Sequence, residues 1–305
     1  MGDFDYLHGI HAAALTLFGE DEAVDWGAWE EYLAWLGASD LDGILIMGTT
    51  GEFTLLSLEE RLQGIALAQQ VVPEKKRLLV NVGAMTTLDA LRLSEAALAG
   101  ARAADALLCG PPYYHQAALT DERFGDHLWA VAELAQEAGA AVLYYHIPKV
   151  SHFMPSMGLL SETISSAPLQ GIKDSDGVVD FQRSLRARHP QGDFVHLTGS
   201  IPASLESWDA AGDGGIFGSA SSMPNECVAL WRHWRAGERA EAEELHRRLS
   251  AVWKTASSMG IAGARALLGA REKAFAKATG RRPFASVTLD QVEEIRKALA
   301  DQGFA

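Results

Sequence analysis

The stretch GILIMGTTGEFTLLSLEER, residues 43–61, changes its character twice. Its first residues are apolar and predict a buried strand, and two glycines with two threonines between them then predict a turn. Ser57, followed three residues later by Glu60, forms a capping box, which marks the start of a helix. Apolar residues then return at helical spacing on one face. This stretch therefore predicts one strand–turn–helix unit.

The same unit recurs along the chain. Helical periodicity fills most of the stretches between eight short apolar runs, at residues 11–18, 43–48, 78–84, 105–110, 141–148, 169–174, 193–199 and 214–220. Eight alternations of strand and helix favour a closed α/β barrel, the (β/α)8 TIM barrel, and the alternative is an open doubly wound sheet. Because the strand patterns stop after residue 225, we expect the barrel at 1–225 and C-terminal helices packed on it at 226–305.

The composition narrows the class of protein. The chain has 305 residues, 48% of them apolar, which is enough for a large buried core. A net charge of −14 argues against nucleic-acid binding, because no basic patch offsets it. We see no signal-peptide pattern at the start and no uncharged run of the ~18 residues that a membrane helix needs. Two cysteines, Cys109 and Cys227, fit a reduced, cytoplasmic protein.

Polar residues at the carboxyl ends of strands are the candidates for chemistry in such a barrel. Lys173 follows LQGI at the end of the sixth apolar run. A lysine partly desolvated by the barrel walls can attack a ketone and form a Schiff base. The alternative is an exposed loop lysine paired with Asp174 or Asp176.

Two Tyr–Tyr pairs stand at other strand ends. Tyr144 and Tyr145 lie in LYYHIP, and PPYYHQ at 111–116 follows the preceding strand. Since strand side chains alternate, one tyrosine of a pair should point into the barrel and the other out. An inward hydroxyl near a lysine can relay protons, whereas the alternative is packing with the hydroxyl satisfied by backbone.

Four histidines raise the alternative of a metal-dependent aldolase. His115, His146 and His196 lie at or near strand ends, with His152 just beyond one. Their spacing matches neither HxH nor HExxH, and scattered histidines are more often polar groups at loop ends. We therefore expect no metal.

The GTTGE turn, residues 48–52, has three conceivable roles. A phosphate-binding loop needs GxxxxGK[ST], and no lysine follows Gly51. Backbone N–H groups and two hydroxyls at the start of a helix remain, and these suit a small anion such as a carboxylate. A plain turn that caps the helix is the alternative.

Several motifs occur together in the order and spacing of one family. GTTGE (48–52), PPYY (111–114), LYYHIP (143–148) and GIKD (171–174) are followed by TGS and GGIFGSAS near the last strands. With these motifs, and over nearly its whole length, the sequence resembles the dihydrodipicolinate synthase/N-acetylneuraminate lyase superfamily of pyruvate-dependent class I aldolases. The resemblance implies a (β/α)8 barrel with three C-terminal helices, usually a tetramer. It also implies no cofactor besides a lysine Schiff base with the substrate.

The resemblance implies roles for individual residues. Lys173 matches the lysine that attacks C2 of pyruvate or another 2-oxo acid, and Tyr145 matches the catalytic tyrosine. Thr49 matches the hydroxyl in that tyrosine's proton relay. Tyr114 matches a tyrosine that, in some members, reaches into the neighbouring subunit. The residues matched to substrate binding are Thr50, Gly51, Gly199 and Phe217, with Thr50 and its backbone on the carboxylate.

Two positions depart from dihydrodipicolinate synthases. Val150 stands where those enzymes carry an arginine that helps bind the carboxylate of the amino-acid substrate, and His146 replaces the asparagine of L-Y-N-x-P. Lys149 and His152 flank Val150. They are candidates to bind hydroxyls or a distal anionic group of a longer 2-oxo acid.

The sequence thus predicts a Schiff-base aldolase or lyase that acts on a 2-oxo-3-deoxy sugar acid or a related 4-hydroxy-2-oxo acid, with pyruvate as one product or substrate. A dehydratase on the same Schiff base and dihydrodipicolinate synthase itself are the enzyme alternatives. A non-catalytic 2-oxo acid sensor is the alternative from another class. The expected partners are a small 2-oxo acid, an aldehyde and further copies of this chain in a homotetramer, and neither nucleic acid nor a membrane.

Overall fold

Eight short strands alternate with helices along the chain. In the computed structural model, which describes residues 4–166, 169–190, 194–284 and 286–304, the strands form a closed barrel in chain order. They are β1 Gly9–Ala13, β2 Gly43–Ile46, β3 Arg77–Asn81, β4 Ala106–Cys109, β5 Ala141–His146, β6 Gly171–Asp174, β7 Val195–Thr198 and β8 Gly214–Phe217. The predicted TIM barrel is confirmed, and the open doubly wound sheet is excluded.

Helices follow the strands and continue beyond β8. They are α1 Trp26–Ala38, α2 Leu58–Val71, α3 Thr87–Leu98, α4 Asp121–Ala138, α5 Pro148–Ser151, α6 Met157–Ser165, α7 Val179–Arg188, α8 Ser204–Asp209, α9 Pro224–Arg235, α10 Arg239–Ser257, α11 Gly260–Arg271 and α12 Leu289–Asp301. The expected division at 225/226 falls inside α9. In the described ranges no helix combines the length and the apolar character that crossing a membrane requires.

Each strand is shorter than the apolar run that predicted it. The run at 11–18 is strand only to Ala13. The apolar residues that follow are buried in a loop, where the indole N–H of Trp29 donates to the Leu15 carbonyl at 2.8 Å. An apolar run therefore reports burial and not strand length. The seventh predicted run includes Asp193, which lies outside the described residues.

The chain divides into two units by its internal contacts, and one consists of Met1–Gly9 and Arg77–Ile216. It contains β3 to β7, most of β8, and α3 to α8. Its strands pair in parallel, with Tyr145 of β5 opposite Lys173 of β6, and Lys173 in turn opposite Leu197 of β7. This register places the ends of three consecutive strands side by side.

The other unit consists of Ile10–Lys76 and Phe217–Ala305. In it β1 pairs with β2, and α10 contacts α9, α11 and α12. The predicted capping box at the start of α2 is confirmed. Ser57 Oγ accepts from the Glu60 amide at 3.1 Å, and Glu60 Oε2 accepts from the Ser57 amide at 2.8 Å.

Candidate active site

Lys173 has a buried side chain that lies against an aromatic ring. The residue is 3% exposed, and its Nζ is 4.3 Å from the centre of the Tyr145 ring. Tyr145 is 5% exposed and stands opposite Lys173 in the pairing of β5 with β6, so both side chains leave the same face of the sheet. The alternative of an exposed loop lysine is therefore wrong.

The other face of the same strands buries a polar cluster. Tyr144 and His146 flank Tyr145, and the Tyr144 hydroxyl lies 3.2 Å from His146 Nδ1. Asp174 Oδ2 of β6 lies 3.4 Å from His196 Nε2 of β7, which is longer than a good hydrogen bond. The prediction that the two tyrosines point in opposite directions is confirmed.

Burial governs the protonation of this cluster. It raises the pKa of the Tyr144 hydroxyl well above its usual value, and the Asp174 carboxylate adds to the rise. Burial lowers the pKa of His146, although the charge of Asp174 opposes the shift. For Asp174 burial alone would raise the pKa, but His196, His146 and the Asp176 amide together outweigh it and the pKa is lower than usual. The ionised form of Asp174 is thus favoured, whereas burial favours the neutral forms of Tyr144 and His146.

The loops after β5, β6 and β7 are hydrogen-bonded to one another. The Ser175 amide donates to the His146 carbonyl at 2.9 Å, and the Gly199 amide donates to the Asp174 carbonyl at 2.5 Å. A side chain at Gly199 would collide with Ser175 Oγ. Packing against Ser175 therefore by itself favours glycine at position 199. The approach of Gly199 to the substrate stays a prediction.

The residues expected to contact the distal part of the substrate follow β5. Lys149 Nζ donates to the Asp176 carbonyl at 2.6 Å and lies 3.3 Å from Asp176 Oδ1, so its ammonium already has a partner. Val150 is 51% exposed, and His152 is exposed in a left-handed backbone conformation with φ of 51°. The substrate contacts of Lys149 and His152 stay predictions.

Tyr114 lies on the surface of its unit. It is 67% exposed, and its ring meets that of His115 edge-on, with centroids 4.7 Å apart. This position leaves the hydroxyl accessible to a neighbouring molecule. Its reach into another subunit stays a prediction.

The GTTGE turn, in the unit of β1 and β2, follows one residue with strained backbone, Met47, and ends on another, Glu52. Met47 has φ of 55° and Glu52 has φ of 54°. The left-handed region costs a non-glycine residue about 1–3 kcal/mol, and such strain is concentrated at functional sites. Thr49 and Thr50 between them are half-buried.

Backbone contacts close this turn tightly. The Glu52 amide donates to the Thr49 carbonyl at 3.0 Å, and Thr16 Oγ1 donates to the Gly51 carbonyl at 2.6 Å. A Cβ at Gly51 would lie 2.9 Å from the Ala14 carbonyl oxygen, so only glycine fits. The contact of Gly51 with substrate stays a prediction.

The GTTGE turn is separated from the helix whose start the Ser57/Glu60 capping box predicts. A single 3-10 turn, Phe53–Leu55, follows it, and α2 begins only at Leu58. Ser57 and Glu60 already cap α2. An anion at GTTGE would therefore be bound by the turn's own hydroxyls and N–H groups, without the terminus of α2.

Glu52 is paired with a residue of the C-terminal helices. Its carboxylate accepts a hydrogen bond from Arg265 Nη1 of α11, and the two side chains are 6% and 3% exposed. Burial raises the pKa of Glu52, while the charge of Arg265 opposes the rise. A cavity of about 310 Å³ adjoins the turn and is lined by Thr49, Glu52, Thr54, Leu55, Phe284 and residues 259–262.

Two further predictions concern Phe217 and a metal. Phe217, at the end of β8, is 0% exposed, and its role in substrate binding stays a prediction. His146 and His196 are buried, whereas His115 and His152 are exposed. In the part of the chain that the structure describes, no three histidine, cysteine or carboxylate side chains are grouped as metal ligands.

The burial of the charged groups of Asp174, Glu52 and Arg265 was not predicted from the sequence. Asp174 and Glu52 lie inside recognised motifs, but the partners of their carboxylates could not be read from the motifs. The sequence did not indicate that Arg265 is buried, because an arginine in an amphipathic helix is usually exposed. Arg265 is nevertheless 4% exposed, and its burial became evident only from the folded chain.

Residues 6–302 match the model of the Dihydrodipicolinate synthetase family. The chain is 30% identical to an N-acetylneuraminate lyase of Rhizobium meliloti over 300 residues, which cover 96% of this chain and 95% of that protein. It is also 30% identical to a 4-hydroxy-tetrahydrodipicolinate synthase of Bartonella bacilliformis over 307 residues, covering 97% and 98%. Its fold resembles that of a catalytic-lysine mutant of Ruminococcus gnavus sialic acid aldolase, with a TM-score of 0.90 and 18% identity over 99% of each chain.

We expect His146→Asn to flatten the pH dependence of stability between pH 7 and pH 5. Because the pKa of His146 is lowered in the fold, the unfolded chain takes up a proton near the ordinary value of about 6.5 before the folded chain does. Stability therefore falls as the pH drops through that value, by up to about 1.4 kcal/mol per pH unit for this residue. Urea unfolding at a series of pH values measures the slope.

His115→Asn is the matched control, since His115 is exposed in the same unit and asparagine tolerates its left-handed backbone, with φ of 59°. The control should keep the slope of the unmodified chain. Identical slopes for all three proteins would contradict the expectation for His146.

Proposed function

The chain belongs to the dihydrodipicolinate synthetase family and is a pyruvate-dependent lyase, and we propose that it is a Schiff-base aldolase of 2-oxo-3-deoxy sugar acids or related 4-hydroxy-2-oxo acids. Pyruvate is a product of cleavage or a substrate of the reverse condensation. The observation that carries the proposal is the Lys173 amine, buried against the Tyr145 ring at 4.3 Å.

The proposed reaction follows from an amine held in a site with little water. Lys173 Nζ attacks C2 of the 2-oxo acid, the C2 oxygen leaves as water, and a protonated imine remains. The imine takes up the electron pair of the breaking C3–C4 bond, while the C4 hydroxyl loses its proton and leaves as an aldehyde. Protonation of the enamine at C3, followed by hydrolysis, releases pyruvate and the lysine.

We assign the proton transfers to Tyr145. Its ring lies next to the reacting nitrogen, and its phenol can protonate the leaving oxygen at C2 and then accept the proton of the C4 hydroxyl. A positioned acid–base group of this kind typically contributes roughly 10²- to 10⁴-fold to the rate.

The turn residues are proposed to serve the same reaction. Thr50 and Gly51 would bind the substrate carboxylate through a hydroxyl and N–H groups, and Thr49 would take part in the proton relay. The motif match and the strained, half-buried turn support these roles. Gly199 and Phe217 are proposed to line the bound substrate on the motif match alone.

The loop after β5 is proposed to set the substrate class. Val150 provides no cation for the carboxylate of an amino-acid substrate, which favours a sugar acid. His152 and Lys149 are proposed to contact hydroxyls or a distal anion, although Lys149 reaches a substrate only by leaving Asp176. Dihydrodipicolinate synthase remains the second candidate, supported by the 30% identity to the Bartonella bacilliformis synthase.

The proposed enzyme needs no cofactor, because the imine itself supplies the electron sink. Tyr114, 67% exposed, is proposed to contribute to the site of a neighbouring subunit in a homotetramer built as a dimer of dimers. The two cysteines are free and buried, which fits the cytoplasm as the proposed location.

Borohydride is expected to trap pyruvate on Lys173. Reduction of the imine leaves a stable secondary amine, so intact mass should rise by the pyruvate adduct and peptide mapping should place it at 173. Lys149→Ala, which removes an exposed lysine of the same unit, should still trap, whereas Lys173→Ala should not. No adduct with pyruvate or any other 2-oxo acid would overturn the proposal.

Product analysis separates the enzyme alternatives. Incubation with 2-oxo-3-deoxyaldonates should release pyruvate and an aldehyde in equal amounts. A dehydratase would instead yield a 2-oxo acid that has lost water and kept all its carbons. Condensation of pyruvate with aspartate semialdehyde, and no cleavage of sugar acids, would establish the synthase despite Val150.

Tyr145→Phe should lower kcat roughly 10²- to 10⁴-fold, because the ring stays and only the acid–base group is lost. Imine trapping should slow but remain detectable. Tyr144→Phe is the matched control: it deletes a hydroxyl from the opposite face, where its neighbour is His146, and should affect stability more than turnover. Equal kcat values for the two variants would contradict the assignment.

A further inference from the structure

The strained turn at 48–52 needs something to hold it. Met47, which precedes it, and Glu52, its last residue, both have positive φ, and neither is glycine. Such a conformation persists only where the surrounding structure over-determines it. Both backbone polar groups of Glu52 are hydrogen-bonded. Its amide donates to the Thr49 carbonyl at 3.0 Å, and its carbonyl accepts from the Leu55 amide at 2.8 Å. A displacement of Glu52 therefore moves the threonines.

The Glu52 side chain is fixed to a helix 213 residues further along the chain. Its carboxylate accepts from Arg265 Nη1 of α11, and both side chains are nearly inaccessible to water, at 6% and 3% exposure. Thr49 and Glu52 of the turn also line the same cavity as the first residues of α11. The pair thus connects the turn to the C-terminal helices.

The stability of the fold alone does not explain the ion pair of Glu52 and Arg265. A buried ion pair offsets its desolvation only when further hydrogen bonds satisfy the remaining groups. Arg265 Nη2 is buried with no hydrogen-bond partner among the described residues. A well-packed apolar pair at this place would often be as stable or more so, and a buried ion pair is better attested as a device that fixes register.

We infer that Glu52 and Arg265 are positioning residues that hold the Thr49–Thr50 turn in its carboxylate-binding geometry, so that α11 sets the affinity for the 2-oxo acid. The inference rests on the proposed function, because it needs that turn to bind the substrate carboxylate. Neither residue touches the reacting atoms in this assignment.

The test measures imine formation as a function of pyruvate concentration, by borohydride trapping on Lys173 in the full-length chain. Glu52→Gln should raise the half-saturating pyruvate concentration about 10- to 100-fold, as expected for groups displaced by up to about 1 Å. The kcat at saturating substrate should fall much less. Arg265→Lys, which keeps the cation, should raise half-saturation less than Arg265→Met.

The double variant Glu52→Gln/Arg265→Met separates positioning from stability. Removing both charges avoids leaving one of them buried and unpaired, so the thermal midpoint should recover relative to Arg265→Met. Half-saturation should stay high, because the register is still lost. If half-saturation recovers together with the midpoint, the pair is only a structural one and the inference is overturned.

Glu226→Gln is the matched control. Glu226 pairs with Arg271, which lies on the same helix α11, and both side chains are about one-fifth exposed, at 19% and 23%. This variant should lower the thermal midpoint and leave half-saturation within about twofold, since less than a factor of two is under 0.5 kcal/mol. Equal half-saturation in the Glu52 and Glu226 variants would overturn the inference and leave the proposed function intact. Failure of the unmodified chain to trap any 2-oxo acid would overturn both.

Discussion

The burial of a single amine is the constraint on which the site depends. Taking a polar or charged nitrogen out of water is costly unless the fold replaces the lost solvation. Here the Tyr145 ring lies against Lys173 Nζ at 4.3 Å, an arrangement worth about 0.5–2 kcal/mol when the nitrogen is charged. Because strand residues alternate, placing these two residues together sends their neighbours Tyr144 and Asp174 to the opposite face, where they too are buried. The polar cluster behind the lysine is thus a consequence of the strand geometry that presents it.

That cluster links the lysine to the loops around it. Asp174 accepts the Asp176 amide on Oδ1 at 2.9 Å, and Asp176 in turn holds the Lys149 ammonium. The Asp174 carbonyl accepts a hydrogen bond from the Gly199 amide at 2.5 Å. Asp174, which follows Lys173, therefore contacts the neighbouring loops through both its side chain and its carbonyl. The same hydrogen bonds connect the backbone next to Lys173 and the loop after β5 that is proposed to set the substrate class. We therefore expect a substitution in this loop to affect the position of Lys173 as well.

The fold could be read from the sequence because it follows from periodicity, and the candidate pair of Lys173 and Tyr145 could be named because motifs mark both residues. Eight apolar runs predicted eight strands, although each run overstated its strand, as the run at 11–18 shows. Alternation predicted that Tyr144 and Tyr145 point in opposite directions, and the motif match alone selected Tyr145 as the candidate. Interactions between distant segments could not be predicted. They are the contact of Asp174 with His196, the hydrogen bond from Lys149 to Asp176, and the burial of Arg265 against Glu52. No local pattern distinguishes a buried arginine from its exposed counterparts, since the partner lies 213 residues away.

The partner of Glu52 also bears on why the chain carries helices beyond the barrel. A barrel of this kind completes its core with the eighth strand and its helix, so further helices are not needed to close it. α11 nevertheless supplies a buried charge to the turn in front of α2, and α2 is already capped by its own residues and cannot supply it. An apolar contact in that place would tolerate sliding, because dispersion and burial are non-directional. A guanidinium–carboxylate contact does not, because its hydrogen bonds are directional. The extension is therefore better understood as fixing the geometry of the threonine turn than as adding to the stability of the barrel.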